Sequence, residues 1–190
     1  MKYLVSFSFF CLFVACFSQK TYKVMSVHDG DTFEIIKNGK KQSCRIANID
    51  APELKQSFGV NSRDSLSKLI LGKEIIVDSL TMYIYNRMIV SPRVNGQNID
   101  YLMIRNGWAW HNSIYSKSAF LEKTMNLAVS QKLGLWSCGI QGVCPPWLYR
   151  KYNRINKIKY VIICNHCVDF FVQVFFHRNK DNRFDDGYIV

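Results

Sequence analysis

Two Asn-Gly dipeptides, Asn38-Gly39 and Asn95-Gly96, constrain this chain most, because each sits between two short strand-like segments. Asn-Gly accepts positive φ at both central positions of a two-residue hairpin turn, whose twist matches the strands it joins. The first turn connects 32–37 to 42–46, and the second connects 88–94 to 97–99. Segment 21–27 alternates weakly and 74–78 is rich in Ile and Val, so both read as strands. Between strands, 60–71 carries Val60, Leu66, Leu69 and Ile70, with Gly72 placed to end a helix. Asp100 is placed to cap a short helix over 101–106, and Ser118 a longer one over 119–132.

Strands and helices alternate too irregularly here for a doubly wound sheet. Short strands joined by tight turns suit a small closed barrel. The expected class is α+β: a five-stranded OB-fold barrel with about three helices, plus a C-terminal extension. The barrel domain is placed at 19–151. Pro145-Pro146-Trp147 interrupts the pattern near its end, and 152–190 is a basic, then apolar, then polar extension of uncertain structure, read first as an extra strand pair packed on the barrel, with a partner-binding segment or a poorly ordered tail as the alternatives.

Residues 1–18 read as an export signal. Lys2 precedes an apolar run over 4–17 that is too short to span a bilayer comfortably, and small residues follow near Ser18 and Gln19. The expected product is secreted or periplasmic. The alternative is a membrane-anchored lipoprotein, because Phe13-Val14-Ala15-Cys16 loosely resembles a bacterial lipobox that would lipidate Cys16. Five cysteines remain after residue 18, and Cys138 with Cys144 is the favoured bridge across a short Gly-containing loop. Lys and Arg number 25 against 14 acids, giving a net charge of +11, or +10 once Lys2 is removed. Such an excess attracts polyanions. A basic surface kept for solubility accounts for it equally well.

Five charged residues narrow the choice. Asp29-Gly30-Asp31-Thr32 is a turn in which the glycine's tolerance of positive φ lets Asp31 aim inward, although Asp-Gly is also a common surface turn. In Asp50-Ala51-Pro52-Glu53 the proline stiffens the chain and sets two carboxylates at a defined separation, unless Pro-Glu simply opens a helix. Asp31, Asp50 and a carbonyl near Ala51 would supply part of a calcium shell, with Glu53 just outside it as a general base. Arg45 and Arg87 lie in or beside strands. A guanidinium donates two parallel hydrogen bonds to phosphate, although a surface strand arginine is the plainer reading of either one alone.

Taken together and in order, these motifs resemble the staphylococcal nuclease (thermonuclease) family over about 22–136. The resemblance rests on Asp29-Gly30-Asp31-Thr32, Arg45 ahead of Asp50-Ala51-Pro52-Glu53, Phe58-Gly59, Tyr85-Asn86-Arg87, Gly107-Trp108-Ala109-Trp110, Tyr115 and Gly134-Leu135-Trp136. Pro145-Pro146-Trp147 with Arg150-Lys151 is similar to the ending of many bacterial members. The resemblance implies a five-stranded OB barrel with three helices and a calcium-dependent phosphodiesterase cutting DNA and RNA to 3′-phosphates. It implies that Asp31 and Asp50 bind Ca2+, that Glu53 activates water, and that Arg45 and Arg87 stabilise the five-coordinate phosphorus. Tyr85 would contact a substrate phosphate and Tyr115 would stack on a base, which tolerates any sequence. Two positions depart from the family's Asp-x-Tyr-Gly-Arg: Tyr83 replaces a carboxylate, and Asn86 replaces a glycine whose positive φ it can still adopt.

Weaker signals add little. Cys164-Asn165-His166-Cys167 with His177 lacks a second pair for zinc, and 181–187 fails the spacing of a calcium loop. Trp108, Trp110 and Trp136 suit a core better than a stacking platform, and His111 reads as a surface residue. The sequence therefore predicts an exported, monomeric, calcium-dependent nuclease acting on DNA, RNA or both. The alternatives are a non-catalytic OB-fold module that binds nucleic acid, and an envelope protein whose apolar tail binds a membrane or partner.

Overall fold

The computed structural model describes residues 20–139 and 143–156, with side chains described except at 79–84 and 152–156. The elements run β1 (Thr21–Val27), β2 (Thr32–Lys37), β3 (Lys40–Ile46), β4 (Ile49–Asp50), α1 (Gly59–Ile70), β5 (Glu74–Ile84), β6 (Arg87–Val94) and β7 (Gln97–Asn98). They continue through α2 (Ile99–Arg105), β8 (Trp110–His111), α3 (Ala119–Ser130), a 3-10 turn (Gly134–Cys138) and α4 (Pro146–Asn156).

The sheet order is β3-β2-β1-β5-β6-β7, and parallel pairing of β3 with β6 closes five of these strands into the predicted barrel. The hairpin turns work as the sequence requires. Asn38 and Gly39 have φ of 51° and 74°, and Asn95 and Gly96 have φ of 50° and 76°. Tyr85 and Asn86 make a third turn of this kind, with φ of 50° and 61°, so Asn86 does take the conformation of the family's glycine. Alternation then sorts the faces. Along β6 every second residue from Met88 to Val94 is buried, and on β2 Phe33 and Ile35 are fully enclosed. Burying each such side chain contributes about 1.5–3 kcal/mol relative to exposure. Helix α1 covers one end of the barrel through Ser62, Leu66 and Ile70.

The structure alters several expected boundaries. β5 continues to Ile84 rather than stopping at residue 78, with a register shift between Ser79 and Tyr83 of the sort that bends a strand around a barrel. Segment 97–99 is a strand only at Gln97–Asn98, because Ile99 opens α2. Asp100 does not cap that helix. It is buried, and its Oδ2 accepts from Asn48 Nδ2 at 2.8 Å. Ser118 does cap α3, its hydroxyl accepting from Leu121 N at 3.3 Å. The described residues hold four α-helices rather than three, the extra one being α4.

A second core lies beside the barrel, where Trp110, Ala128, Leu135 and Trp136 pack together. The rings of Trp110 and Trp136 meet edge-on at 4.9 Å, and Trp147 of α4 approaches Trp110 at 6.3 Å. Trp110 and Trp136 are core residues and Trp108 packs partly buried against the barrel core, as the sequence favours, whereas Trp147 stays partly exposed. His111 is also inside, not on the surface, because its short strand β8 pairs with β4. Both its ring nitrogens lack a hydrogen-bond partner, and burial lowers its pKa. The expected bridge from Cys144 to Cys138 is not formed. The Cys144 thiol is free, and its Sγ donates to the Pro145 carbonyl at 3.6 Å. The leader at 1–18 with Cys16, and Cys164, Cys167 and His177, fall outside the described residues.

Gly30 is required for a reason other than the expected one. It does not use the left-handed region. A Cβ there would fall 1.9 Å from Ser62 Oγ on α1 and 2.7 Å from Ala51 Cβ. Its lack of a side chain lets the Asp31 turn, the Asp50 loop and α1 meet. Gly30→Ala is therefore expected to lower unfolding free energy by about 1–3 kcal/mol, the usual cost of overpacking. Urea denaturation checks this, and an unchanged midpoint would contradict the close approach.

Candidate active site

Asp31 enters the site from a turn that its neighbours fix. The amide of Asp31 donates to Asp29 Oδ1 at 2.9 Å, and the amide of His28 donates to the Thr32 carbonyl at 2.9 Å. The Asp31 side chain then points inward, only 3% exposed. Its Oδ2 accepts from the Ala51 amide at 2.9 Å, which ties the first acidic motif directly to the second. Asp50, 2% exposed, is held by the β4–β8 ladder, where it faces Trp110.

Strand register supplies the cation between them. Thr32 on β2 lies opposite Arg45 on β3, so Arg45 emerges beside Asp31. Its Nη1 pairs with Asp31 Oδ1, and its Nη2 lies 3.0 Å from Asp50 Oδ1. One guanidinium thus spans both buried carboxylates. Burial opposes its charge, but Asp31 and Asp50 outweigh that and hold the Arg45 pKa above its ordinary value.

Glu53 sits in the loop ahead of α1 rather than opening a helix, since α1 starts at Gly59. A Cβ at Gly59 would lie 2.0 Å from the Glu53 carbonyl, so that glycine lets the loop fold back on the helix. The Glu53 carboxylate is 38% exposed, unlike the two aspartates. Its Oε1 accepts from Arg150 Nη1 at 2.9 Å, and Arg150 also grips both oxygens of Asp50, at 3.1 Å and 2.6 Å. Arg87, at the start of β6, reaches the group indirectly: its Nη1 is 3.5 Å from Thr32 Oγ1, which donates to Asp31 Oδ1 at 2.9 Å. The five predicted polar residues therefore do converge. Tyr85 and Tyr115 do not join the network. They stand 86% and 81% exposed, Tyr85 on the β5–β6 turn and Tyr115 on the loop after β8.

An open cleft of about 530 Å3 borders this group, lined by His28, Asp29, Glu53, Leu54, Lys55, Tyr149 and Arg150. Burial, with Asp31 alongside, raises the Asp29 pKa to about 7. Among the described residues no three His, Cys, Asp or Glu side chains converge as a complete metal cage. The chemistry of the donor set nonetheless fits a hard divalent cation. Asp31, Asp50 and Glu53 outnumber the Arg45 and Arg150 guanidiniums paired with them, and such ions accept a partial protein shell completed by water and substrate oxygens.

The sequence reading overlooked three contributors: Thr32 as the link to Arg87, Asp29 as a half-buried acid, and Arg150. The local signal for Arg150 was its place after Pro145-Pro146-Trp147. Nothing local shows that it reaches Asp50, 100 residues earlier.

Two measurements on chelator-treated protein test this geometry. Arg45→Ala strands Asp31 without a cation, so it should cost about 3–5 kcal/mol of stability; a loss under about 1 kcal/mol would mean that the pair is effectively solvated. The Asp29 pKa is raised in the folded state. Its contribution to stability is therefore complete below about pH 4 and is lost as pH climbs through about 7. Asp29→Asn should flatten that part of the stability–pH profile, and an identical profile would contradict the burial of an ionisable group there.

Comparison with known proteins assigns the family. The family described as staphylococcal nuclease homologue matches residues 43–138. An uncharacterized endonuclease of Escherichia coli O157:H7 is 37% identical over 131 residues, covering 67% of this chain and 83% of that protein. A micrococcal nuclease of Shigella flexneri is 32% identical over 143 residues, 70% of this chain and 81% of its own length. The staphylococcal-like nuclease CAN1 of Arabidopsis thaliana is 35% identical over 115 residues, 60% of this chain but 35% of that longer protein. With the barrel closed as predicted and the matched segment spanning half its length, this chain belongs to the staphylococcal nuclease family.

Proposed function

We propose that this protein is an exported, calcium-dependent nuclease that hydrolyses phosphodiester bonds of DNA, RNA or both. Nuclease activity is the activity of its family, and the basic chain, at +11, suits a polyanionic substrate. The observation that carries the division of labour is burial. Asp31 and Asp50 are sealed from solvent, as cation ligands can be, whereas Glu53 is open to the cleft where water enters.

In this reading Asp31 and Asp50 hold Ca2+, which when bound offsets the charge that builds on the phosphate oxygens. Glu53 accepts a proton from the attacking water as its oxygen bonds to phosphorus. The bond from phosphorus to the 5′-oxygen then breaks, and the departing oxygen takes a proton from solvent, leaving a 3′-phosphate on one fragment and a 5′-hydroxyl on the other. In the hydrogen-bond chain that starts at solvent-facing Glu53, Arg45 lies between Asp50 and Asp31, and Arg87 lies beyond Asp31 through Thr32. Their guanidiniums stabilise the dianionic, five-coordinate phosphorus. Tyr85 and Tyr115, exposed on their loops, contact a flanking phosphate and a base. The protein acts as a monomer, released after cleavage of 1–18 or held at a membrane through lipidated Cys16.

Glu53→Gln keeps shape and hydrogen bonding but removes the base. It is expected to reduce kcat by about 10²–10⁴-fold while oligonucleotide affinity stays unchanged. Chelator should abolish cutting by the wild type, and rising salt should weaken it. Intact polynucleotide after incubation of the wild type in excess calcium would instead support the non-catalytic binding module.

A further inference from the structure

We propose that Arg150 is a positioning residue of the reaction, fixing the Glu53 carboxylate relative to Asp50, so that the active site extends onto α4. This rests on the nuclease reading above. The family model matches only as far as residue 138, and Arg150 lies beyond that match.

Three observations carry it. First, among the described residues Arg150 is the only side chain that hydrogen-bonds the Glu53 carboxylate, and Glu53 sits on a partly exposed loop. A base left loose would sample many geometries, and proton transfer needs one. Second, the contact is a fork. Nη1 and Nη2 take both Asp50 oxygens, and Nη1 also reaches Glu53 Oε1. That planar grip sets the separation of the two carboxylates, which the point charge of a lysine cannot do. Third, α4 is docked by other means. Trp147 meets Trp110 edge-on, Tyr149 is buried, and Gln56 Nε2 donates to the Cys144 carbonyl just before the helix. The guanidinium is therefore presented by an anchored helix and is not the anchor itself.

The test compares wild type, Arg150→Ala, Arg150→Lys and Lys151→Ala on single-stranded DNA in saturating calcium, with thermal melts as a check on folding. Lys151 is exposed on the same helix and controls for the loss of one positive charge. Arg150→Ala is expected to lower kcat by about 10-fold or more, with KM within about 3-fold. Arg150→Lys should recover little of that, and it carries the test if the alanine variant fails to fold. Lys151→Ala should leave kcat unchanged. In a Glu53→Gln background, Arg150→Ala should add no further loss of the residual rate, because its action runs through Glu53. Undiminished kcat in Arg150→Lys, or an equal loss in the Glu53→Gln background, would overturn the role. So would a faster Arg150→Ala enzyme, which would mark Arg150 as a stand-in that the cation must displace. A wild type that fails to cut would sink the nuclease reading itself, whereas a cutting wild type beside an unimpaired Arg150 variant sinks only the positioning role.

Discussion

Two carboxylates buried to within a few per cent of full enclosure share one guanidinium, that of Arg45, and the rest of the site is arranged around that fact. Asp31 and Asp50 cannot both stay charged inside a protein without a cation close by. Arg45 supplies one positive charge for two negative ones. Arg150 answers part of that shortfall, and with Glu53 included the three carboxylates still outnumber the two guanidiniums paired with them, which leaves a place for a metal ion. A surface pair of the same residues would be screened and would carry no such demand.

The barrel makes this arrangement by backbone means. Pairing of β2 with β3 sets Arg45 across from Thr32, and closure of β3 on β6 brings the Arg87 end of β6 to the same rim. The Ala51 amide clamps Asp31 to the Asp50 loop, and the β4–β8 ladder holds that loop against Trp110 and the second core. Two glycines, Gly30 and Gly59, keep the converging segments close enough for these bonds. Each functional side chain thus leaves an element that packing has already fixed, which is how a small fold can hold charges in defined geometry without a large rigid core.

Much of this was legible because it is written locally. Asn-Gly turns, alternation along β6 and the order of the acidic and arginine motifs all act over a few residues, and they led to the barrel and to Asp31, Arg45, Asp50, Glu53 and Arg87. What failed to show was set at long range. Asp100 looks like a helix cap until Asn48, 52 positions earlier, takes its carboxylate. His111 looks like a surface histidine until a two-residue ladder with Ile49 draws it inside. Gly30 looks like a turn glycine, and only the approach of Ser62 shows that its missing Cβ is what counts. Arg150 belongs to the same class: its helix opens at the second of two prolines beyond the family match, and its partners lie about half the chain away.

The most direct measurement is calorimetric titration of calcium into the Glu53→Gln protein bound to a short oligonucleotide, which leaves the substrate uncut. One calcium per chain is predicted, with that uptake lost in the additional variant Asp50→Asn. Calcium uptake that is the same with or without the Asp50 charge would contradict the account, because the buried carboxylates would then not be where the cation goes.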